Sequence, residues 1–109
     1  MNLIPVAKDY FLNFSNKDIE SLKKQFSKNI ILRDWEIDVS GYDNVVSQNI
    51  EIFDNLGNFS LNIIELNQSE NIVYAEIEIT LENSEKIIVL DKIIFDSSDK
   101  IQAITAFKG

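Results

Sequence analysis

The strongest constraint on the fold is a change of hydrophobic period near the middle of the chain. After Gly57, β-favouring apolar residues recur at every second position, as in strands that bury one face. Short polar segments at 67–71, 82–85 and 96–100 divide this half into strands near 58–67, 71–82, 86–96 and 100–108. Because loops this short join neighbouring strands as hairpins, the second half predicts a four-stranded antiparallel meander.

The first half repeats its apolar residues with helical spacing instead. Helices are predicted at about 4–14, 17–27 and 42–55, with a short strand at 30–35 before the third helix. Ser15 or Asn16 is the candidate cap of the second helix, with Asp18 in its first turn, and Gly57 is a natural stop for the third. The apolar stripe of the third helix is Val45, Val46, Ile50, Phe53 and Leu56.

Size and composition favour a single domain covering residues 1–109. The chain is 45% hydrophobic and 10% aromatic, which is enough to build one core at this length. The predicted architecture is α+β, with three helices packed on a curved antiparallel sheet that encloses an apolar pocket.

The charge balance excludes several classes of partner. With 18 acidic and 10 basic side chains, the formal net charge is −8, and the lysines are scattered along the sequence. Nucleic acid and anionic membranes are therefore not expected as partners. The first residues do not resemble a secretory signal, so we expect a cytoplasmic protein.

The residue inventory also restricts the chemistry. The sequence has neither cysteine nor histidine, which removes thiolates, the commonest general base and the commonest transition-metal ligand. No cofactor is expected. Catalysis, if present, depends on carboxyl, hydroxyl or lysine side chains.

The strand at 86–96 is apolar on both faces. Its inward row is predicted to contain Ile87, Val89, Ile93 and Phe95, while Ile88, Leu90 and Ile94 make the other face apolar too. The helices can cover only one face of the meander, so the outer strip predicts a homodimer formed through the sheet. The alternative is that neighbouring side chains or the C-terminal residues shield this strip.

Three residues interrupt apolar patterns and are candidate site residues. Asp91 falls in the inward row, where a carboxyl group must be neutral, partnered or functional. Tyr10 lies in the apolar stripe of the first helix and needs a partner for its hydroxyl group. Asp34 lies at the end of the first strand, beside the only tryptophan. For Asp91, the alternatives are a β-bulge that turns it outward beside Lys92 or a structural carboxyl bonded to backbone amides.

A metal site at Asp34, Glu36 and Asp38 is a weaker alternative, based on their alternation along an extended segment. A calcium loop starting at Asp34 would require glycine and glutamate where Val39 and Val45 stand. A solvated acidic edge fits better, and no metal ligand is assigned.

Two stretches carry a resemblance to a known fold. Residues 10–32, YFLNFSNKDIESLKKQFSKNIIL, look like an opening helix, an acidic second-helix start and a first strand of the nuclear transport factor 2-like fold. Residues 91–109, DKIIFDSSDKIQAITAFKG, are similar to its closing hairpin. With the helix after Gly41, the resemblance spans nearly the whole chain and points to the ketosteroid isomerases and SnoaL-like polyketide cyclases that share this fold.

The resemblance implies roles for the three candidate residues. Tyr10 and a protonated Asp91 would form an oxyanion hole, and Asp34 would shuttle a proton next to a carbonyl group of a small apolar substrate. Trp35 replaces the proline of the family, and Lys108 stands where an aromatic residue often lines the pocket. The predicted pocket lining is Phe14, Trp35, Phe53, Ile77, Val89 and Ile104. The competing interpretation is a non-catalytic ligand-binding or dimerisation module in which Tyr10 and Asp91 hydrogen-bond each other.

Overall fold

Six strands form one sheet, and three helices pack against one of its faces. The structure, a computed structural model, describes residues 2–109. The helices are α1 (Ile4–Ser15), α2 (Ile19–Gln25) and α3 (Tyr42–Leu56). The strands are β1 (Phe26–Arg33), β2 (Asp38–Ser40), β3 (Phe59–Ser69), β4 (Ile72–Leu81), β5 (Lys86–Phe95) and β6 (Ile101–Lys108).

The strand order is β2-β1-β6-β5-β4-β3. Strands β3 to β6 form the predicted antiparallel meander, which is confirmed together with the α+β class. The sheet as a whole is mixed and not purely antiparallel, because β1 pairs with β6 in parallel. That pairing joins opposite ends of the chain and has no local sequence signal. The three-residue strand β2, which pairs with β1, is too short to show a period and was not predicted.

The start and end of α2 differ from the prediction. The helix ends at Gln25 because Phe26 already belongs to β1 and pairs with Ile101 of β6. Its N-cap is Asp18, not Ser15 or Asn16. The Asp18 carboxylate accepts hydrogen bonds from the backbone N–H of Ser21 at 3.1 Å and from the Ser21 hydroxyl at 2.7 Å. A short acidic side chain at this position satisfies a backbone donor that the helix itself cannot pair.

The buried face of α3 is also shifted from the predicted stripe. Its buried residues are Val45, Val46, Asn49 and Phe53, whereas Ile50 is 44% exposed. Steps of three and four residues keep Asn49 on the same side as Val46, Val45 and Phe53. Helical geometry therefore buries a polar residue and leaves an isoleucine in solvent.

Asp91 lies on the inner face of β5, as the alternation of residues in the sequence predicted. Asp91 is 6% exposed and lies in register with Ala75 of β4 and Ala106 of β6. The pairing of β4 with β5 runs through Asp91 without a register shift, so the alternative of a bulge that turns the side chain outward is wrong.

The outer face of the same strand stays apolar. Leu90 is 42% exposed, and its cross-strand neighbour Phe107 is 54% exposed. Ile88 is only partly exposed, and Gly109 lies directly beside its side chain. The Gly109 backbone N–H donates to the Ile88 carbonyl oxygen at 2.8 Å. Shielding by the chain end is thus real at Ile88 but leaves Leu90 and Phe107 exposed.

Within residues 2–109, no helix is long and apolar enough to cross a membrane.

Candidate functional site

Helices α1 and α3 and the inner face of the sheet surround an apolar cavity of about 160 Å³. Its walls are mainly aliphatic and aromatic side chains, including Phe11 and Phe14 from α1 and Ile52 and Leu56 from α3. A small number of polar residues face an otherwise apolar space, the usual composition of a small-molecule site. These polar residues are Tyr10, Asp34, Asn49 and Asp91.

Tyr10 reaches the cavity from the buried side of α1. It is 5% exposed, and its ring packs edge-on against Phe11 with centroids 5.1 Å apart and at a tilt against Phe14 at 6.1 Å. Burial raises the pKa of the Tyr10 hydroxyl far above its ordinary value, and the carboxyl group of Asp91 adds to the effect. The phenol therefore stays protonated and acts as a hydrogen-bond donor.

Asp91 reaches the cavity from the middle of β5. Its neighbours across the sheet, Ala75 and Ala106, carry only a methyl group and leave space around the carboxyl group. Burial, followed by the negative charge of Asp34, raises the pKa of Asp91 from 3.8 to about 7. Below that pH the group is largely a neutral carboxylic acid, which can donate a hydrogen bond.

The oxygens of Tyr10 and Asp91 are open to the cavity. Within residues 2–109, no side-chain nitrogen or oxygen is both fully enclosed and without a hydrogen-bond partner. Neither the Tyr10 hydroxyl nor the Asp91 carboxyl hydrogen-bonds to any group in this part of the chain. Their oxygens must therefore contact the cavity. The mutual hydrogen bond of the scaffold interpretation is not formed.

Asp34 is oriented by the turn between β1 and β2. Its Oδ1 atom accepts hydrogen bonds from the backbone N–H groups of Glu36 and Ile37, both at 2.7 Å. The Oδ2 atom has no hydrogen bond or ion pair within residues 2–109, and the residue lines the cavity. One carboxylate oxygen thus fixes the side chain, which leaves the other available for chemistry.

The acidic residues after Asp34 do not join it in one cluster. The carboxylate of Asp38 pairs with Arg33, with 3.4 Å between Oδ2 and a guanidinium nitrogen. In the described part of the chain, no three acidic side chains converge in a metal-binding arrangement.

Five of the six predicted lining residues lie on the cavity wall, namely Phe14, Trp35, Ile77, Val89 and Ile104. Phe53 does not. It is buried behind Phe14, with ring centroids 5.0 Å apart. The cavity-facing residues of α3 are Asn49, Ile52 and Leu56, whereas the Phe53 ring packs toward α1 against Phe14.

Asn49 was not predicted as a site residue. It is 2% exposed and lines the cavity, and its Nδ2 atom donates to the Val45 carbonyl oxygen at 2.9 Å. Its spacing in the sequence could have indicated its burial, because it lies four residues after Val45 and four before Phe53, within an apolar stripe.

Trp35 and Lys108, the two residues that depart from the family pattern, lie near each other at the solvent side of the cavity. Trp35 lines the cavity yet is 46% exposed, and the Lys108 ammonium lies 5.8 Å from the centroid of its ring. This cation–π contact holds the indole over the cavity rim.

Comparison with solved structures places the fold. A candidate isomerase of the SnoaL-like family from Agrobacterium tumefaciens superposes with a TM-score of 0.85 at 8% identity, covering 97% of this chain and 96% of that one. A candidate ketosteroid isomerase from Kribbella flavida gives a TM-score of 0.85 at 14% identity, covering 96% and 76%. A nuclear transport factor 2-like protein of unknown function from Cytophaga hutchinsonii gives 0.82 at 10% identity, covering 100% and 91%.

The chain therefore has the nuclear transport factor 2-like fold, as the resemblance in sequence predicted. No protein-family model and no curated protein matches it in sequence. Identities this low establish the architecture, and the chemistry has to be argued from the cavity.

Proposed function

We propose that this domain binds a small carbonyl compound in the cavity and catalyses proton transfer at the carbon next to the carbonyl group. The observation that supports this most directly is the convergence of Tyr10, Asp34 and Asp91 on one apolar cavity. Tyr10 is a neutral donor and Asp91 is one when protonated, and neither has a protein partner. Asp34 is a fixed carboxylate with an available oxygen. Isomerisation, cyclisation and dehydration all begin with this step.

The proposed reaction needs only these side chains. Oδ2 of Asp34 removes a proton from the α-carbon. The electron pair of the broken C–H bond forms a C=C bond to the carbonyl carbon, and the π pair of the C=O bond moves to the oxygen. The resulting enolate oxygen accepts hydrogen bonds from the Tyr10 hydroxyl and the protonated Asp91. In an isomerisation, Asp34 then returns the proton to another carbon, and the C=O bond re-forms.

The surroundings support each role. Donors that are already desolvated lose no water when charge develops on the substrate oxygen, so they stabilise it more than donors in water would. The backbone N–H groups of Glu36 and Ile37 hold Asp34 in one orientation and so limit its rotation during proton transfer. No metal or redox cofactor is required for this chemistry.

Binding of phenol tests the donor pair, because phenol has the planar shape of an enol and its phenolate form carries charge as an enolate does. Trp35 is the single tryptophan and lines the cavity, so its fluorescence reports binding directly. Asp91→Leu should weaken phenol binding by about 1–3 kcal/mol, since a buried hydrogen bond is lost. Asp54→Leu, on the exposed side of α3, is the control and should bind like wild type. Failure of wild type to bind phenol would rule out the proposed oxyanion site.

Turnover tests the base. The ketone 3-cyclohexen-1-one has one ring, and its isomerisation to the conjugated enone is followed by ultraviolet absorbance. Asp34→Asn keeps an oxygen for the Glu36 and Ile37 amides but cannot take a proton, so the rate should fall by about 10²–10⁴-fold. Glu36→Gln, at a neighbouring exposed acid, should leave the rate unchanged.

The alternative is a ligand-binding or dimerisation module without catalysis. The exposed apolar outer face of the sheet favours an assembly role, and the cavity could serve binding alone. Phenol binding that depends on Asp91, combined with equal isomerisation rates for wild type and Asp34→Asn, would favour this alternative.

A further inference from the structure

Asn49 presents a hydrogen-bond acceptor to the cavity. Its Nδ2 atom donates to the Val45 carbonyl oxygen one turn earlier in α3, at 2.9 Å. This bond fixes the direction of the amide, because a flipped amide would set Oδ1 against the carbonyl oxygen of Val45. Oδ1 has no hydrogen-bond donor within residues 2–109 and is not fully enclosed, so it opens to the cavity that Asn49 lines.

A hydrogen-bond acceptor in an apolar wall favours ligands that place a hydrogen-bond donor against it. A ligand that places an apolar group against Oδ1 leaves that oxygen desolvated and unpaired, which is unfavourable. A ligand with a hydroxyl or N–H group at this place restores the lost hydrogen bond. Tyr10 and protonated Asp91 have the opposite preference, since both donate. The cavity therefore offers donors from α1 and β5 and an acceptor from α3.

The volume of the cavity limits the ligand to a compact molecule. Its 160 Å³ is close to that of an engineered apolar cavity of about 150 Å³ that binds benzene. A single ring with one or two small substituents fits this space, whereas a fused multi-ring skeleton would have to extend past Trp35 into solvent.

We infer that Asn49 is a specificity-determining residue, and that the substrate is a single-ring carbonyl compound with a second, hydrogen-bond-donating group that Asn49 Oδ1 accepts. This inference rests on the proposed function, because it takes the carbonyl oxygen to lie at Tyr10 and Asp91. It adds the second polar contact and the size class.

Matched ring compounds test the second contact. Catechol, resorcinol and hydroquinone each carry two hydroxyl groups, whereas the three cresols replace one hydroxyl with a methyl group of similar volume. One hydroxyl remains for Tyr10 and Asp91 in every compound. Dissociation constants from Trp35 fluorescence then give a diol-to-cresol affinity ratio for each substitution position.

The ratio in Asn49→Leu decides the inference, since leucine has nearly the shape of asparagine without the acceptor. For at least one substitution position, the ratio should fall about tenfold from wild type, the loss expected for one hydrogen bond. Asn44→Leu is the matched control. Asn44 is also on α3 and donates to the carbonyl oxygen four residues earlier, at 3.0 Å, but it is exposed and outside the cavity. Its ratios should equal those of wild type.

If Asn49→Leu does not fold, NMR of the wild-type protein tests the same contact. The ¹³Cγ resonance of Asn49 should shift when the preferred diol is added and stay in place with the corresponding cresol. Size is tested with 2-naphthol, which should bind more weakly than phenol despite its larger apolar surface.

The outcomes separate the two proposals. If no phenol binds to wild type, the oxyanion site and this inference both fail. If phenol binds in an Asp91-dependent manner but the diol-to-cresol ratios are the same in wild type and Asn49→Leu, only the role of Asn49 is overturned. Tighter binding of 2-naphthol than of phenol would overturn the size class.

Discussion

Asp91 shows how one residue sets the chemistry of the whole cavity. A strand with apolar residues at 87, 89, 93 and 95 brings the carboxyl group at 91 into the interior. There the lost hydration disfavours the charge, and the nearby Asp34 disfavours it further. Below about pH 7 the residue is therefore mainly a neutral donor, and in the proposed reaction Asp34 is the base.

The raised pKa of Asp91 makes its contribution to stability depend on pH. Between 3.8, its ordinary value, and about 7, the folded protein holds this proton more tightly than the unfolded chain does. The free energy of unfolding contributed by this group therefore falls as pH rises through that range and levels off above it.

Urea denaturation between pH 4 and 8 measures this dependence. The stability of wild type relative to Asp91→Leu should fall by up to about 4 kcal/mol across the range. Asp54→Asn, at an exposed acid, should show no such trend relative to wild type. A constant difference between wild type and Asp91→Leu at all pH values would show that Asp91 titrates normally.

The pKa of Asp91 should also respond to Asp34. Asp34→Asn removes the negative charge, which is the second cause of the raised pKa, but leaves the burial that is the first. The pKa should therefore fall from about 7 yet stay above 3.8, as followed by the ¹³Cγ resonance of Asp91. In Glu36→Gln it should not change. An unchanged pKa in Asp34→Asn would mean that the two carboxyl groups lie too far apart to share a site.

The sequence reveals some site residues better than others. Asp91 and Tyr10 are detectable because each is a polar interruption of a clear apolar pattern. Asn49 interrupts a helical stripe too, but its neighbour Ile50 is apolar and was assigned to the stripe instead. Which of the two is buried depends on how α3 rotates against the sheet, and no local pattern encodes that rotation.

At the scale of elements, local signals predicted the hairpins and the long helices. The turn segments contain Glu70, Ser84 and Asp99, which all have positive φ, and the strands on either side pair as expected. The parallel pairing of β1 with β6 was not predictable in this way. It requires the last strand to lie beside the first, which residues close in sequence do not encode. This pairing extends the inner face of the sheet up to the turn that carries Asp34.

The end of α3 depends on one glycine. Gly57 has φ +63° and ψ −145°, a region that other residues rarely adopt, and an added Cβ would lie 3.2 Å from Oε1 of Glu82. Gly57→Ala should therefore lower the free energy of unfolding by about 1–3 kcal/mol. Ser47→Ala, at an exposed position within α3, should change it by less than about 0.5 kcal/mol.

Chemical denaturation of both variants tests this assignment. Because Leu56 immediately precedes the glycine and lines the cavity, Gly57→Ala should also weaken phenol binding. Equal stability of Gly57→Ala and wild type would mean that the turn relaxes without strain.

At the scale of the molecule, the two faces of the sheet have different tasks. The inner face and the helices build the cavity, whereas the outer face has no covering element within residues 2–109 at Leu90 and Phe107. The alternation of residues along β5 revealed Asp91 as a polar residue in the inward row. The same alternation identified the apolar outer face. The sequence could not show which residues of that surface the C-terminus would cover.

We propose that the outer face pairs with a second copy of this chain. Leu90 of β5 lies in register with Phe107 of β6 on one side and with Glu76 of β4 on the other. Lys92 is the next residue of β5 on the same face. A two-fold axis would bring Glu76 of one copy near Lys92 of the other, while apolar side chains meet at the centre. Sedimentation velocity should then give twice the mass of one chain for wild type.

Leu90→Glu should convert this dimer to a monomer, because it sets two carboxylates against each other in an apolar interface. Ile50→Glu is the matched control, since Ile50 is 44% exposed against 42% for Leu90 but lies on α3, across the sheet from the outer face. It should remain dimeric. If wild type sediments as a monomer at every concentration, or if both variants remain dimeric, the outer face is not the interface. A dimer lost in Leu90→Glu with unchanged phenol binding would show that each cavity works within its own chain.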